Sequence, residues 1–212
     1  MNKALSGIDF SIPTFVTGIG TDVGKTVVSA ILCEWANADY WKPIQSGDPE
    51  GGDSQTLKKL VSHSSFRILK EAYQFDAPLS PHAAAELEGK KIKVDSIALP
   101  KSNKPFIIEG AGGLLVPLNY ENDTICDLIL KLDAQVIVVV KEYLGNINHT
   151  LLTIEHLKRS KIKIAGLVFV GEELPYTFDI ISKSTNIQML FRVPIFKTLN
   201  KNTILNFVSK LD

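Results

Sequence analysis

Lys25 and Thr26 close the run Phe15-Val16-Thr17-Gly18-Ile19-Gly20-Thr21-Asp22-Val23-Gly24-Lys25-Thr26. A lysine and a hydroxyl placed directly after a glycine-rich loop suit the capture of phosphate. The usual phosphate-loop pattern is G-x-x-x-x-G-K-[ST]. Here the leading glycine, Gly18, stands one residue early, so the loop is a variant. The physics tolerates the extra residue. Glycines can take backbone angles closed to other residues, so successive N–H groups can turn inward around an anion. The N-terminus of a following helix adds the positive end of its dipole. Lys25 then reaches the outer phosphates as a mobile point charge, and Thr26 offers its hydroxyl to Mg²⁺. The competing reading is an ordinary strand-to-helix turn that happens to hold Gly-Lys-Thr.

Other charged residues stand where chemistry is possible. Lys42 precedes Pro43 and a Ser-Gly loop, and is either a functional cation or an exposed lysine at a strand end. Asp53 has the chemistry of a helix N-cap as well as that of a ligand. Glu109 ends a wholly apolar stretch, where an unpaired carboxylate is costly to bury, which favours a metal-ligand role. Asp22 is a loop organiser or a nucleotide-proximal acid. His82 and His149 read as structural hydrogen-bonders, His63 and His156 as surface residues.

The elements that must position these groups alternate between strand and helix. Strand Thr14 to Thr17 leads into a helix from Gly24 to Ala36, with Val27, Val28, Ile31, Leu32 and Trp35 as one apolar stripe. Asp39 to Ile44 is expected as one short strand, and Gln45 to Gly52 as a polar, glycine-rich loop before a helix over Ser54 to Val61 capped by Asp53. Ser80 and Pro81 mark the start of a helix over Pro81 to Leu87, and Val94 to Leu99 forms another short one. Phe106 to Gly110 is a strand buried on both faces, with Gly110-Ala111-Gly112-Gly113 as a second glycine-rich loop at its exit. Ile125, Leu128, Ile129 and Leu132 follow helical spacing. Gln135 to Val140 is a central strand. Gly145 opens a helix to Arg159, and Ile162 to Val170 is a buried strand. A helix near Tyr176 to Ser182, a strand near Met189 to Val193 and a helix near Thr203 to Lys210 complete the pattern. This predicts an α/β fold: one domain over residues 1–212, doubly wound on a mostly parallel sheet. In such sheets ligands sit at the carboxyl ends of the strands, where the phosphate loop, Lys42 and Glu109 all fall.

The 212 residues are 45% hydrophobic and 22% charged, a globular composition. Lysine plus arginine and aspartate plus glutamate both number 23, so a formal charge of zero gives no electrostatic case for nucleic acid or an anionic membrane. Cys33 and Cys126 are too few for a disulfide framework and sit in apolar helical patterns as core residues. Met1 to Pro13 lacks the apolar run of a signal peptide, and no later run approaches a membrane span, so a cytoplasmic protein is expected.

Five segments occur in order: Thr21-Asp22-Val23-Gly24-Lys25-Thr26, Lys42-Pro43-Ile44-Gln45-Ser46-Gly47, Ser80-Pro81-His82, Glu109-Gly110-Ala111-Gly112-Gly113 and Leu144-Gly145-Asn146-Ile147-Asn148-His149. Together, over about residues 14 to 200, they resemble the dethiobiotin synthase family. The resemblance implies ATP- and Mg²⁺-dependent joining of CO₂ to 7,8-diaminononanoate to give a cyclic urea, with ADP and phosphate as the other products. It implies Lys25, Lys42 and Thr21 at the reacting groups, and Thr26, Asp53 and Glu109 as hard oxygen ligands for Mg²⁺. Nucleotide contacts fall along Asp22, Val23, Gly24, Lys25, Thr26 and Val27, and along Gly110, Ala111 and Gly112. Ser46 meets the diamine. The resemblance also implies that Gly145, Asn146, Ile147 and Asn148 hold its distant carboxylate at a helix N-terminus across a homodimer interface.

Two departures from the family pattern stand out. Val170-Gly171 replaces an Asn-Asp pair whose amide reads adenine, which leaves strict ATP preference open. Pro194, Ile195 and Phe196 become the base-side segment. The span from Lys25 to Lys42 is also short, which trims the first helix or second strand. Two other classes compete. Partitioning-type switch ATPases carry an extra lysine five residues before the loop lysine, where this chain has Gly20. Cobyrinate-type amidating ligases usually fuse a glutamine-hydrolysing domain, for which 212 residues leave no room.

Overall fold

The computed structural model describes residues 7–48, 51–174 and 176–211. Part of the expected terminal segment (1–6) and part of the loop expected over 45–52 (49 and 50) lie outside them. Strand β1 (Thr14–Gly18) runs between β6 (Phe106–Gly113) and β7 (Gln135–Lys141), parallel to both. The sheet extends through β2 (Asp39–Trp41) to β4 (Ile68–Leu69) on one side and through β8 (Ile164–Val170) to β9 (Met189–Val193) on the other. The order is β4-β2-β6-β1-β7-β8-β9, with every pairing parallel. β3 (Ile44–Ser46) and β5 (Tyr73–Phe75) form a separate parallel pair.

Strict alternation along β7 shows why the sheet is buried on both sides. Val136, Val138 and Val140 enter one core cluster and Ile137 and Val139 the other. The second cluster is closed by α1 (Lys25–Ala36), α2 (Asp53–Leu60) and α7 (Lys201–Val208). The first is closed by α3 (Pro81–Leu87), α4 (Ile125–Lys131), α5 (Asn146–Arg159) and α6 (Thr177–Thr185). Helices on both faces of a parallel sheet make this the doubly wound α/β architecture that the strand–helix alternation predicts. Cys33 and Cys126 are both buried free thiols in these cores. Among the described residues no helix is long and apolar enough to cross a membrane.

Several sequence expectations are corrected. The strand expected over Asp39 to Ile44 is two strands in two different sheets, broken at Lys42-Pro43. Proline has no N–H for a ladder, so the chain leaves the main sheet there. Gln45 and Ser46, expected in a loop, therefore lie in β3. Gly110-Ala111-Gly112-Gly113 is not a loop but the extension of β6, with Gly113 paired to Gly18. The expected stripe on α1 is wider: Ser29, Ala30, Cys33 and Glu34 are buried too, because α2 and α7 pack around that helix. The helix expected over Val94 to Leu99 is a single 3₁₀ turn at Val94–Ser96. His63 and His156 are half-buried rather than free at the surface, and the His63 ring lies 2.6 Å from the Glu34 carbonyl.

Candidate active site

β1 delivers the phosphate loop to the carboxyl edge of the sheet, and Ile19 N–H continues the ladder by donating to the Val139 carbonyl at 3.1 Å. Gly24 ends the loop at φ 97°, and a Cβ there would lie 3.3 Å from both methyls of Val170. The chain needs glycine at that position for its left-handed backbone and its packing alike. Lys25 Nζ folds back onto the Gly20 carbonyl at 3.1 Å, and burial pulls the Lys25 pKa below its ordinary value, against the attraction of Glu109.

Four elements converge beside this loop. Thr26 begins α1, Lys42 follows β2, Asp53 begins α2 and Glu109 lies in β6. The Thr26 hydroxyl sits 2.7 Å from Asp53 Oδ1 and 2.9 Å from Glu109 Oε1. Lys42 is ion-paired with Asp53 Oδ2, and its ammonium is 3.8 Å from Glu109 Oε1. Burial works against the Asp53 carboxylate, yet the Lys42 charge and the hydrogen bonds from Lys42 and Thr26 outweigh it and hold its pKa below the usual value. Glu109 is 1% exposed, and there burial prevails over Lys42 and raises the pKa. Asp53 is the first residue of α2 rather than its N-cap, which is Gly52, and no side-chain cap bond forms. The helix-cap reading of Asp53 is thus corrected: its carboxylate is committed to Lys42 and Thr26.

These groups open into one cavity of about 720 Å³. Thr21, Asp22, Val23, Gly24, Val27, Ser46, Ala111 and Gly112 line it together with Lys25, Thr26, Lys42, Asp53 and Glu109. The two lysines therefore share one cavity rather than facing opposite sides of the molecule. The Ser46 hydroxyl is buried without a hydrogen-bond partner among the described residues, which suits a group kept for a ligand. Asp22 takes φ 54° and its carbonyl accepts from Lys141 Nζ at 3.2 Å, a loop-organising placement.

Other expected residues lie apart. Gly110 is buried against Phe15, whose Cε1 a Cβ would meet at 2.7 Å, and does not line the cavity. Pro194, Ile195 and Phe196 do not line it either, and the Phe196 ring packs edge-on against Phe207. Val170 is 6% exposed and faces the phosphate loop. At the start of α5, Gly145 occupies the N-cap position, Ile147 packs on the core, and the buried Asn146 amide donates to Glu142 Oε2 at 2.7 Å. Asn148 lines a separate surface cavity with Leu151 and Leu152. A further cavity of about 420 Å³ nonetheless joins Thr21 to His149 and Leu152 of α5. His82 and His149 act as the structural bonders expected, to Ser80 Oγ at 3.1 Å and to the Tyr143 hydroxyl at 2.6 Å.

Sequence reasoning missed Gln45, Val116 and the wall at Pro78 and Leu79. The signal for that wall is Gly47: at φ 75°, a Cβ there would strike Pro78 Cα at 2.8 Å, so the two segments pack as one rim. It also missed Tyr40, whose hydroxyl donates to Glu109 Oε2 at 3.0 Å.

The donor chemistry fits a divalent ion. A hydroxyl has one proton, so Thr26 can donate to one flanking carboxylate at a time, and the other oxygen–oxygen contact needs a proton or a cation. Among the described residues no three His, Cys, Asp or Glu side chains cluster as metal ligands. Two carboxylates and a hydroxyl form the sparse oxygen set that Mg²⁺ takes when phosphate oxygens and water complete its shell.

The fold and this site define a P-loop nucleotide-binding α/β protein, and the protein-family model described as "AAA domain" matches residues 13–203. Two solved structures share the fold. A ParA family ATPase from Chlorobium tepidum has TM-score 0.52 and 12% identity over 96% of this chain and 100% of its own. A putative plasmid partition protein from Borrelia burgdorferi also has TM-score 0.52 and 12% identity, over 94% and 98%. Sequence relatives are more specific. The chain is 51% identical over 179 residues to the ATP-dependent dethiobiotin synthetase BioD of Christiangramia forsetii, covering 84% of this chain and 86% of that one. It is 46% identical over 198 residues to that of Cytophaga hutchinsonii, covering 93% and 95%. The chain belongs to the ATP-dependent dethiobiotin synthetase family.

Proposed function

We propose that this protein is an ATP-dependent carbon–nitrogen ligase that joins CO₂ to 7,8-diaminononanoate and closes the ring to dethiobiotin, in biotin biosynthesis. The observation that carries the reading is the single cavity in which Lys25 and Lys42, from separate loops, stand beside the Thr26–Asp53–Glu109 cluster. Family membership supplies the reaction.

One amine of the diamine bonds to CO₂ and loses a proton, giving a carbamate. A carbamate oxygen then attacks the γ-phosphorus of ATP as the bond to ADP breaks, giving a carbamic–phosphoric anhydride. The second amine attacks the carbonyl carbon and expels phosphate. None of these steps needs a covalent bond to the protein, so its work is positioning and neutralisation of charge. Lys25 takes the outer phosphates, reached from its resting contact with the Gly20 carbonyl. Lys42 pairs with the carbamate and the transferring group, where developing negative charge is stabilised by a pre-placed cation. Thr21 and the unpartnered Ser46 hydroxyl bond the substrate's nitrogens or carbamate. Thr26, Asp53 and Glu109 would hold Mg²⁺, which when bound would neutralise phosphate charge.

The second cavity, from Thr21 to His149 and Leu152, leads toward the α5 N-terminus, where Gly145 to Asn148 would meet the distant carboxylate of the substrate. Exposed Leu115 and Leu152 line that cavity, and Leu144 stands exposed beside Gly145. A homodimer covering this surface completes the site, and a cytoplasmic, small-molecule enzyme follows from the same reading.

The test is incorporation of label from bicarbonate into an acid-stable product. With diamine, ATP and Mg²⁺ present, labelled dethiobiotin should form. Its absence under saturating substrates would rule the reading out.

A further inference from the structure

We infer that Tyr40 is a positioning residue for the divalent ion, holding Glu109 so that only one of its oxygens faces the metal side; this rests on the metal reading above. Tyr40 lies in β2 opposite Ile107 of β6, and both enter the core cluster covered by α1. Side chains alternate along a strand, so Glu109 shares that face two residues beyond Ile107. The phenol, fully buried, reaches the Glu109 carboxylate along this diagonal and donates to Oε2 at 3.0 Å. The other oxygen, Oε1, is left facing Thr26 Oγ1 at 2.9 Å and the Lys42 ammonium at 3.8 Å.

A carboxylate free to rotate could turn either oxygen, or both, toward a cation. With Oε2 engaged, Glu109 presents one oxygen in a fixed direction, as an octahedral Mg²⁺ shell shared with phosphate requires. The bond also satisfies a buried carboxylate oxygen that makes no other hydrogen bond among the described residues, Thr26 and Lys42 both lying on the Oε1 side. Partners behind metal ligands commonly change metal affinity about 10- to 100-fold when removed.

Tyr40→Phe deletes the hydroxyl and keeps the packing ring. Mn²⁺, read by electron paramagnetic resonance, is titrated into the protein with saturating ADP, beside wild type and Glu109→Gln. The expected result is Mn²⁺ affinity about 10-fold weaker in Tyr40→Phe, with ADP affinity in EDTA close to wild type. Unchanged Mn²⁺ affinity would overturn the inference, and so would Mn²⁺ and metal-free ADP affinities falling together, the mark of a merely structural role. If Glu109→Gln binds Mn²⁺ as wild type does, the metal reading itself falls and takes this inference with it; the wild-type comparison separates that failure from the first.

Discussion

Each charge in the cavity depends on its neighbours. Lys42 stands between Asp53 and Glu109, so its loss removes a cation from the reaction and also leaves two carboxylates without their counter-charge. Lys42→Ala and Lys25→Ala are each expected to lower kcat about 10²- to 10³-fold or more, with the far-UV circular dichroism unchanged. A Lys42→Ala enzyme with wild-type turnover would remove that residue from the mechanism. Glu109 gives a sign test. Its folded-state pKa is raised, chiefly by burial, so the native protein binds this proton more tightly than the unfolded chain. That contribution to stability is full below the ordinary carboxylate value and is lost as pH rises through the folded-state value. In nucleotide-free protein at neutral pH, Glu109→Gln should therefore raise the thermal midpoint while abolishing turnover. The gap from wild type should shrink as pH falls from the folded-state value toward the ordinary carboxylate value, and be gone below it. A lower midpoint for Glu109→Gln at neutral pH would show that its ion pairing outweighs its burial.

Element boundaries follow from chemistry that is local in the chain, and those were legible. Pro81 at the first helical position and Gly145 just before α5 mark their helices to the residue. The β-branched run of β7 announces a central strand. What could not be read is what depends on a partner element. Lys42-Pro43 looks like the tail of one strand until β5 is found to take β3 away from the main sheet. Gly110-Ala111-Gly112-Gly113 looks like a loop until Gly18 pairs with Gly113. Asp53 has the composition of a cap, and only the approach of Lys42 and Thr26 reveals another use. Tyr40 escaped notice because its role depends on strand register across β2 and β6. One glycine of the phosphate loop is also testable. Gly24→Ala places a side chain at φ 97° and against Val170. It should cost about 1–2 kcal/mol in stability by denaturant titration and weaken nucleotide binding, while Gly20→Ala, which meets open space, should be close to neutral in stability.

At the scale of the whole molecule, the phosphate-loop cavity and the α5 N-terminus lie at the carboxyl edge of the sheet, linked by the second cavity through Thr21. Exposed apolar residues gather along that second cavity. If a second copy covers them, light scattering should report a dimer. The double change Leu144→Asp with Leu152→Asp should then give a monomer with a raised KM for the diamine and unchanged ATP affinity. A wild-type monomer with full activity would refute the shared-site arrangement. The fold alone is held in common with partitioning ATPases at 12% identity and so does not choose between a ligase and a switch. The choice rests on the lysine pair and the family. It is tested most directly by following ADP release with ATP, Mg²⁺ and bicarbonate, with and without 7,8-diaminononanoate. ADP release that depends on the diamine and matches dethiobiotin one for one is the predicted result. Nucleotide hydrolysis at the same rate without the diamine, and no dethiobiotin with it, would contradict the account.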